Sequence, residues 1–247
     1  MKIFATIFLL IIIVVFGLYA MLYYSFNLSD PSHWLNQKYR NQVIKYPLLR
    51  NILRLHQVGD YRYEFVENNN KNLEIIIYQK DNHKLNPDTY AKVADQIYSL
   101  VKQPKQVVFT EKKLEESVNG IVDDDDLKKL ANSYSLPKNN ITYLKIFVLD
   151  EYTPIPTYAG IVNNANTIFL FTKPIASITG GRSPAAVETS TILHEFGHLL
   201  GAGHINKDNC IMSEKVENIS GRPTAFMTTY CREDLEEIDN SLKPTVN

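Results

Sequence analysis

Residues 194–204 read His-Glu-Phe-Gly-His-Leu-Leu-Gly-Ala-Gly-His, and three of the chain's six histidines fall in this window. A helix places His194 and His198 on one face, one turn apart, so two imidazole nitrogens reach one metal ion. Glu195 lies beside them but off the ligand face, where a carboxylate acts on activated water rather than on the metal. His204 is the candidate third ligand. It cannot share the face of the first two if the helix continues. Gly201 lets the chain leave the helix, because glycine tolerates the left-handed conformation that ends helices. The chain can then turn back and present His204 from below. Gly197 inside a helix costs about 1 kcal/mol relative to alanine, which points to close packing there. Three histidines with a free fourth position form the donor set of a catalytic zinc site, so one Zn²⁺ is the expected cofactor.

The N-terminus constrains location. Residues Ile3 to Leu28 carry no charged side chain, and a run of roughly 20 apolar residues crosses a bilayer as a helix. Tyr19, Tyr23 and Tyr24 lie near its far end, where amphipathic rings favour the interface. Residues 1–28 therefore read as an uncleaved transmembrane signal anchor. The alternative is a signal peptide, with secretion after cleavage, although no clear small-x-small site is present near Ala20. Lys2 and the amino terminus are the only positive charges before the span, which places the body outside the membrane. Cys210 and Cys231 are the only cysteines. Outside the cytoplasm they pair as a disulfide; two reduced, buried thiols are the alternative.

The body is globular in composition, with 45% hydrophobic and 21% charged residues. A net charge of −1 argues against a nucleic-acid partner held by a broad basic surface. Residues 29–68 read as a stalk, a small N-terminal subdomain or a pro-segment, with a short helix near Arg50 to His56. A main domain is expected over 69–247. Its predicted elements are strands at Leu73 to Gln79, Gln106 to Thr110, Ile141 to Leu149 and Thr167 to Thr172. Helices are predicted at Asn86 to Val101, from Pro184 to about Leu200, and at Tyr230 to Leu242. The stretch Tyr158 to Asn166 reads as a loop. Asp123 to Asp126 suit a helix start, where acids complement the dipole; a calcium site is the alternative.

The pattern at His194, Glu195, His198, Gly201 and His204 resembles that of the metzincin clan of zinc endopeptidases. Cys210-Ile-Met212-Ser213 is similar to the methionine turn of that clan. The resemblance implies an α+β fold: a twisted mixed sheet with an antiparallel edge strand, an active-site helix, and a small C-terminal subdomain with a helix. It implies that Thr167 to Thr172 is the edge strand beside the cleft. Met212 would be a hydrophobic floor beneath the histidines, rather than ordinary core. The implied activity is zinc-dependent hydrolysis of peptide or protein substrates, with Glu195 as general base. A membrane-tethered zinc-binding module without catalysis is the alternative.

Within the clan, the cysteine spacing is loosely similar to archaemetzincins, which hold a second zinc with further cysteines. Here Ile205 follows His204, and Asp234 stands three residues after Cys231. One catalytic ion is expected and a second is not. No cysteine precedes residue 210, so a matrixin-type cysteine switch is excluded.

Overall fold

A computed structural model describes residues 2–30, 32–67, 72–100, 106–115, 117–134, 136, 141–179, 183–214 and 226–243. They fall into two compact units, one reaching to His56 and the other covering Gln57–Leu242.

The second unit is organised by a five-stranded sheet. Parallel strands β1 (Leu73–Gln79), β2 (Val107–Lys113), β4 (Thr142–Leu149) and β7 (Thr167–Phe171) are joined by antiparallel β6 (Gly160–Asn164). The order is β2-β1-β4-β7-β6. Every residue of β4 and β7 is buried, as in parallel strands covered on both faces, which explains their unbroken apolar runs. A row of aromatic rings crosses the strands in register. Tyr78 stacks on Phe147 at 4.8 Å, and Phe147 on Phe169 at 5.2 Å.

α5 (Pro87–Leu100) connects β1 to β2, and α6 (Asp124–Ser133) leads into β4. β3 (Ile121–Val122) pairs with β5 (Glu151–Tyr152) in a separate small sheet. The acidic run starts α6. Asp123 accepts from the N–H groups of Asp125 and Asp126, and Asp126 reaches back to the Asp123 N–H, a reciprocal cap that satisfies orphan donors. Among the described residues, α7 (Thr172–Thr179), α8 (Ala185–Leu199) and α9 (Arg232–Leu242) follow.

The expected edge strand needs correcting. Thr167–Phe171 is flanked on both sides, by β4 and β6, and Thr172 begins α7. The true edge is Gly160–Asn164, inside the stretch expected to be a loop. Its Gly and Asn residues have low strand propensity and a bulge interrupts its register, so the two-residue alternation is lost.

The compact unit that holds the sheet begins at Gln57. α4 (Arg62–Val66) belongs to the same unit as the sheet, and its Phe65 meets Phe196 of α8 edge-on at 5.4 Å. The first unit holds α1 (Lys2–Asn27), α2 (Trp34–Ile44) and α3 (Pro47–Ile52). α2 and α3 make much of residues 32–56 helical. Within α1, Phe4–Asn27 is long and apolar enough to cross a membrane, as an anchor or a signal sequence.

Candidate metal centre

α8 runs through the middle of its unit, with all but two of its residues buried. It delivers His194 and His198 one turn apart. The Gly201 N–H closes the helix onto the His198 carbonyl at 2.9 Å, and the Ala202 N–H bonds the Gly197 carbonyl at 3.0 Å. Gly201 has φ +88°, which a side chain would strain. This turn swings His204 back beneath the helix.

The three Nε2 atoms converge. His194 and His198 are 3.1 Å apart, His198 and His204 3.2 Å, and His204 and His194 3.3 Å. A tetrahedron with zinc–nitrogen bonds of about 2.0–2.1 Å has an edge of about 3.3–3.4 Å, so the donor set fits zinc. The ring tautomers agree. His194 Nδ1–H donates to the Ile211 carbonyl at 2.6 Å, and His198 Nδ1–H to the Ala202 carbonyl at 2.9 Å. With the protons on Nδ1, both Nε2 lone pairs face the shared point. Burial, reinforced by His198, pushes His194 down to about 3, so it stays neutral. Burial lowers His198 as well.

Glu195 is buried beside the histidines. It packs on Gly160, the first residue of the edge strand. A Cβ there would sit 3.1 Å from Glu195 Oε1. A 380 Å³ cleft opens at this point, lined by Ile161 and Val162 of β6, Glu195 and His198 of α8, and Val58.

Met212 is fully buried, and a Cβ on Gly197 would collide with its Sδ and lie 3.0 Å from its Cε. The methionine thus packs against α8 at Gly197, the residue before His198. Its carbonyl accepts from the Ile205 N–H at 2.9 Å, tying the turn to the residue after His204.

The model of peptidase family M54 matches residues 53–240, well over half of the chain. The chain belongs to peptidase family M54. It is a zinc metallopeptidase. One solved structure supports the fold. An archaemetzincin from Methanopyrus kandleri superposes with a TM-score of 0.50 at 16% identity, covering 70% of this chain and 97% of that one. An archaemetzincin from Archaeoglobus fulgidus gives 0.44 at 14%, covering 66% and 99%. Metalloproteinase-II from Bacteroides fragilis gives 0.46 at 16%, covering 70% and 54%. No curated protein matches the chain.

Two supports hold the turn around Met212 in this M54 peptidase, the disulfide expected from the sequence and a carboxylate that was not expected. Cys210 and Cys231 are joined as a disulfide. The buried Asp234 accepts from the N–H groups of Ile211 at 2.9 Å, Met212 at 3.0 Å and Cys231 at 2.9 Å. One half of this has a local signal: an acid in the first turn of a helix reaches back to the capping N–H. The other half joins segments more than twenty residues apart. Two further supports were missed. The Tyr230 hydroxyl donates to the Leu193 carbonyl at 2.5 Å. Glu188 of α8 accepts from the Asn86 N–H at 3.0 Å and the Thr89 hydroxyl at 2.5 Å, fixing α8 to α5; burial raises its carboxyl.

Proposed function

We propose that this M54 peptidase is a membrane-anchored endopeptidase in which His194, His198 and His204 hold the zinc and Glu195 is the general base. The convergence of three Nε2 atoms beside a buried carboxylate carries the reading. Zinc, when bound, supplies the Lewis acidity that activates water and polarises a carbonyl. The Nδ1–H bonds to Ile211 and Ala202 keep the rings of His194 and His198 turned inward. Glu195 takes a proton from the attacking water and passes it to the leaving amine. Met212 keeps the space under α8 dry and filled. Substrate lies along β6, whose free edge can add an extended peptide as a further strand.

Two observations bear on topology and pull in opposite directions. Lys38, Arg40 and Lys45 follow the span closely and outnumber Lys2, which favours keeping that flank in the cytoplasm. The Cys210–Cys231 disulfide favours an oxidising compartment. We place the catalytic unit outside, on extracytoplasmic peptides or proteins. The disulfide involves the catalytic unit itself, whereas charge bias is a preference set by few residues.

The test is peptide-library cleavage by the purified full chain, with metal analysis of the same sample. Chelation should abolish cleavage and zinc restore it. Glu195→Gln should keep stoichiometric zinc and lose about 10²–10⁴-fold in turnover. Undiminished cleavage by Glu195→Gln, or by metal-free chain, would refute the assignment. Zinc binding by the wild type without cleavage of any peptide would leave a binding module instead.

A further inference from the structure

Residues 29–56 carry five cations, Lys38, Arg40, Lys45, Arg50 and Arg54, against one acid, Asp30. The whole chain is close to neutral at −1, so this short segment is an island of positive charge. It also exposes apolar bulk. Trp34 is 59% exposed, Leu48 71% and Ile52 49%, with Tyr46 and Leu49 exposed beside them. Isolated exposed leucines are ordinary; a cluster of tryptophan, tyrosine and aliphatic side chains on two adjacent short helices is not.

The segment is fastened to the end of the apolar helix. The Asn36 amide donates to the Ser25 carbonyl at 2.8 Å, and Arg40 Nη1 to the Phe26 carbonyl at 2.6 Å. The Asn27 amide donates to the Leu53 carbonyl at 2.9 Å. The first two bonds reach carbonyls in the last turn of α1, beyond the helix's own donors, and the third ties Asn27 to the end of α3. α2 and α3 are therefore held close to where α1 leaves the bilayer.

From these observations we propose that α2 and α3 form a collar that lies on the membrane surface, binding anionic lipid headgroups. The proposal rests on α1 being a span. Trp34, Tyr46, Leu48, Leu49 and Ile52 enter the interfacial layer, where amphipathic rings and aliphatic side chains partition together. Lys38, Lys45 and Arg54, all exposed, meet the phosphates. Each cation near an anionic surface raises the docked-to-undocked ratio about fivefold. The collar converts a single flexible tether into a seat for the chain on the bilayer.

Trp34 is the only tryptophan, which makes it a native probe. The full chain is reconstituted into vesicles of phosphatidylcholine, with or without phosphatidylglycerol, and alkaline extraction checks integration. Trp34 emission is then quenched by lipids brominated near the headgroup, and separately by aqueous iodide. A second probe, Leu48→Trp in a Trp34→Phe background, reports on α3. Both probes should be quenched by bromolipid and shielded from iodide. Lys38→Glu with Arg54→Glu should reduce docking by more than about twentyfold on phosphatidylglycerol vesicles. A retained chain whose residue-48 probe is open to iodide and untouched by bromolipid overturns the collar while leaving the span intact. A probe shielded from both quenchers also overturns it, because the apolar face is then covered by protein. Complete alkaline extraction removes the span and the collar together.

Discussion

Asp234 accepts the backbone N–H of Met212 at 3.0 Å, from a position with no solvent exposure. The same carboxylate accepts the Ile211 N–H, and the Ile211 carbonyl accepts the Nδ1–H of His194. One buried acid thus orients the peptide that orients a histidine of the proposed zinc site. Partners behind a metal ligand tune affinity by about 10–100-fold. Asp234→Asn turns one acceptor into a donor facing backbone N–H groups, and each orphaned group costs about 1–3 kcal/mol. The expected outcome is a lower melting temperature and zinc affinity reduced by about 10–100-fold in a chelator competition. Zinc affinity equal to wild type in a folded Asp234→Asn would show that the relay ends at the turn.

Gly197 and Met212 make a second coupled pair. Alanine at an ordinary helix position would add about 1 kcal/mol of stability. At 197 its Cβ collides with Met212 Sδ, and overpacking costs about 1–3 kcal/mol. Gly197→Ala should therefore destabilise and lower turnover, since α8 carries both His194 and His198. Met212→Ala alone should cost about 2–5 kcal/mol through the cavity it leaves. Together the two should cost less than their sum, by about 1 kcal/mol or more in a double-mutant cycle of denaturant midpoints. Strict additivity would mean that the glycine serves some other purpose.

These two pairs mark the limit of what the sequence reveals. The helix with His194, Glu195 and His198 was legible because a four-residue spacing has one geometric meaning on a helix. Gly201 was legible because only glycine readily adopts the left-handed exit. β1, β4 and α5 were legible from unbroken apolar runs and helical periodicity. The edge strand was not, because Gly160, Asn163 and Asn164 look like loop residues and their strand conformation comes from pairing with β7. Asp234, Tyr230 and Glu188 were not, because their partners are distant in the chain. A contact of that kind leaves no periodic signal; it exists only once the fold has formed.

The Cys210–Cys231 bond closes a loop with a sequence separation of 21. A cross-link of that span removes unfolded-state entropy equivalent to about 3 kcal/mol. Replacing both cysteines by serine should lower the denaturant midpoint correspondingly. Zinc affinity should fall less than in Asp234→Asn, because the three backbone N–H bonds to the acid survive. Denaturant titration and chelator competition on the same samples compare the two supports. If the serine pair loses zinc first, the disulfide and not the carboxylate sets the turn.

Lys145 supplies a prediction about pH. It lies inside β4, where Nζ donates to the Ala131 carbonyl and to the Tyr134 carbonyl at 3.3 Å. Burial nevertheless pushes it down to about 8. An unfolded lysine holds its proton to about 10.4. Between those values the unfolded chain binds one more proton than the folded chain, so stability rises with pH. Below pH 8 both forms are charged and the whole burial penalty is felt. Above about pH 10 the trend reverses, because Tyr90 and Tyr152 are pushed up to about 12 and ionise more readily when unfolded. Denaturant midpoints of the full chain should therefore climb from pH 8 towards pH 10. Lys145→Met removes the titrating group, and its profile over that window should be flatter. A wild-type profile parallel to that of Lys145→Met would mean that the ammonium is fully compensated by the two carbonyls it meets.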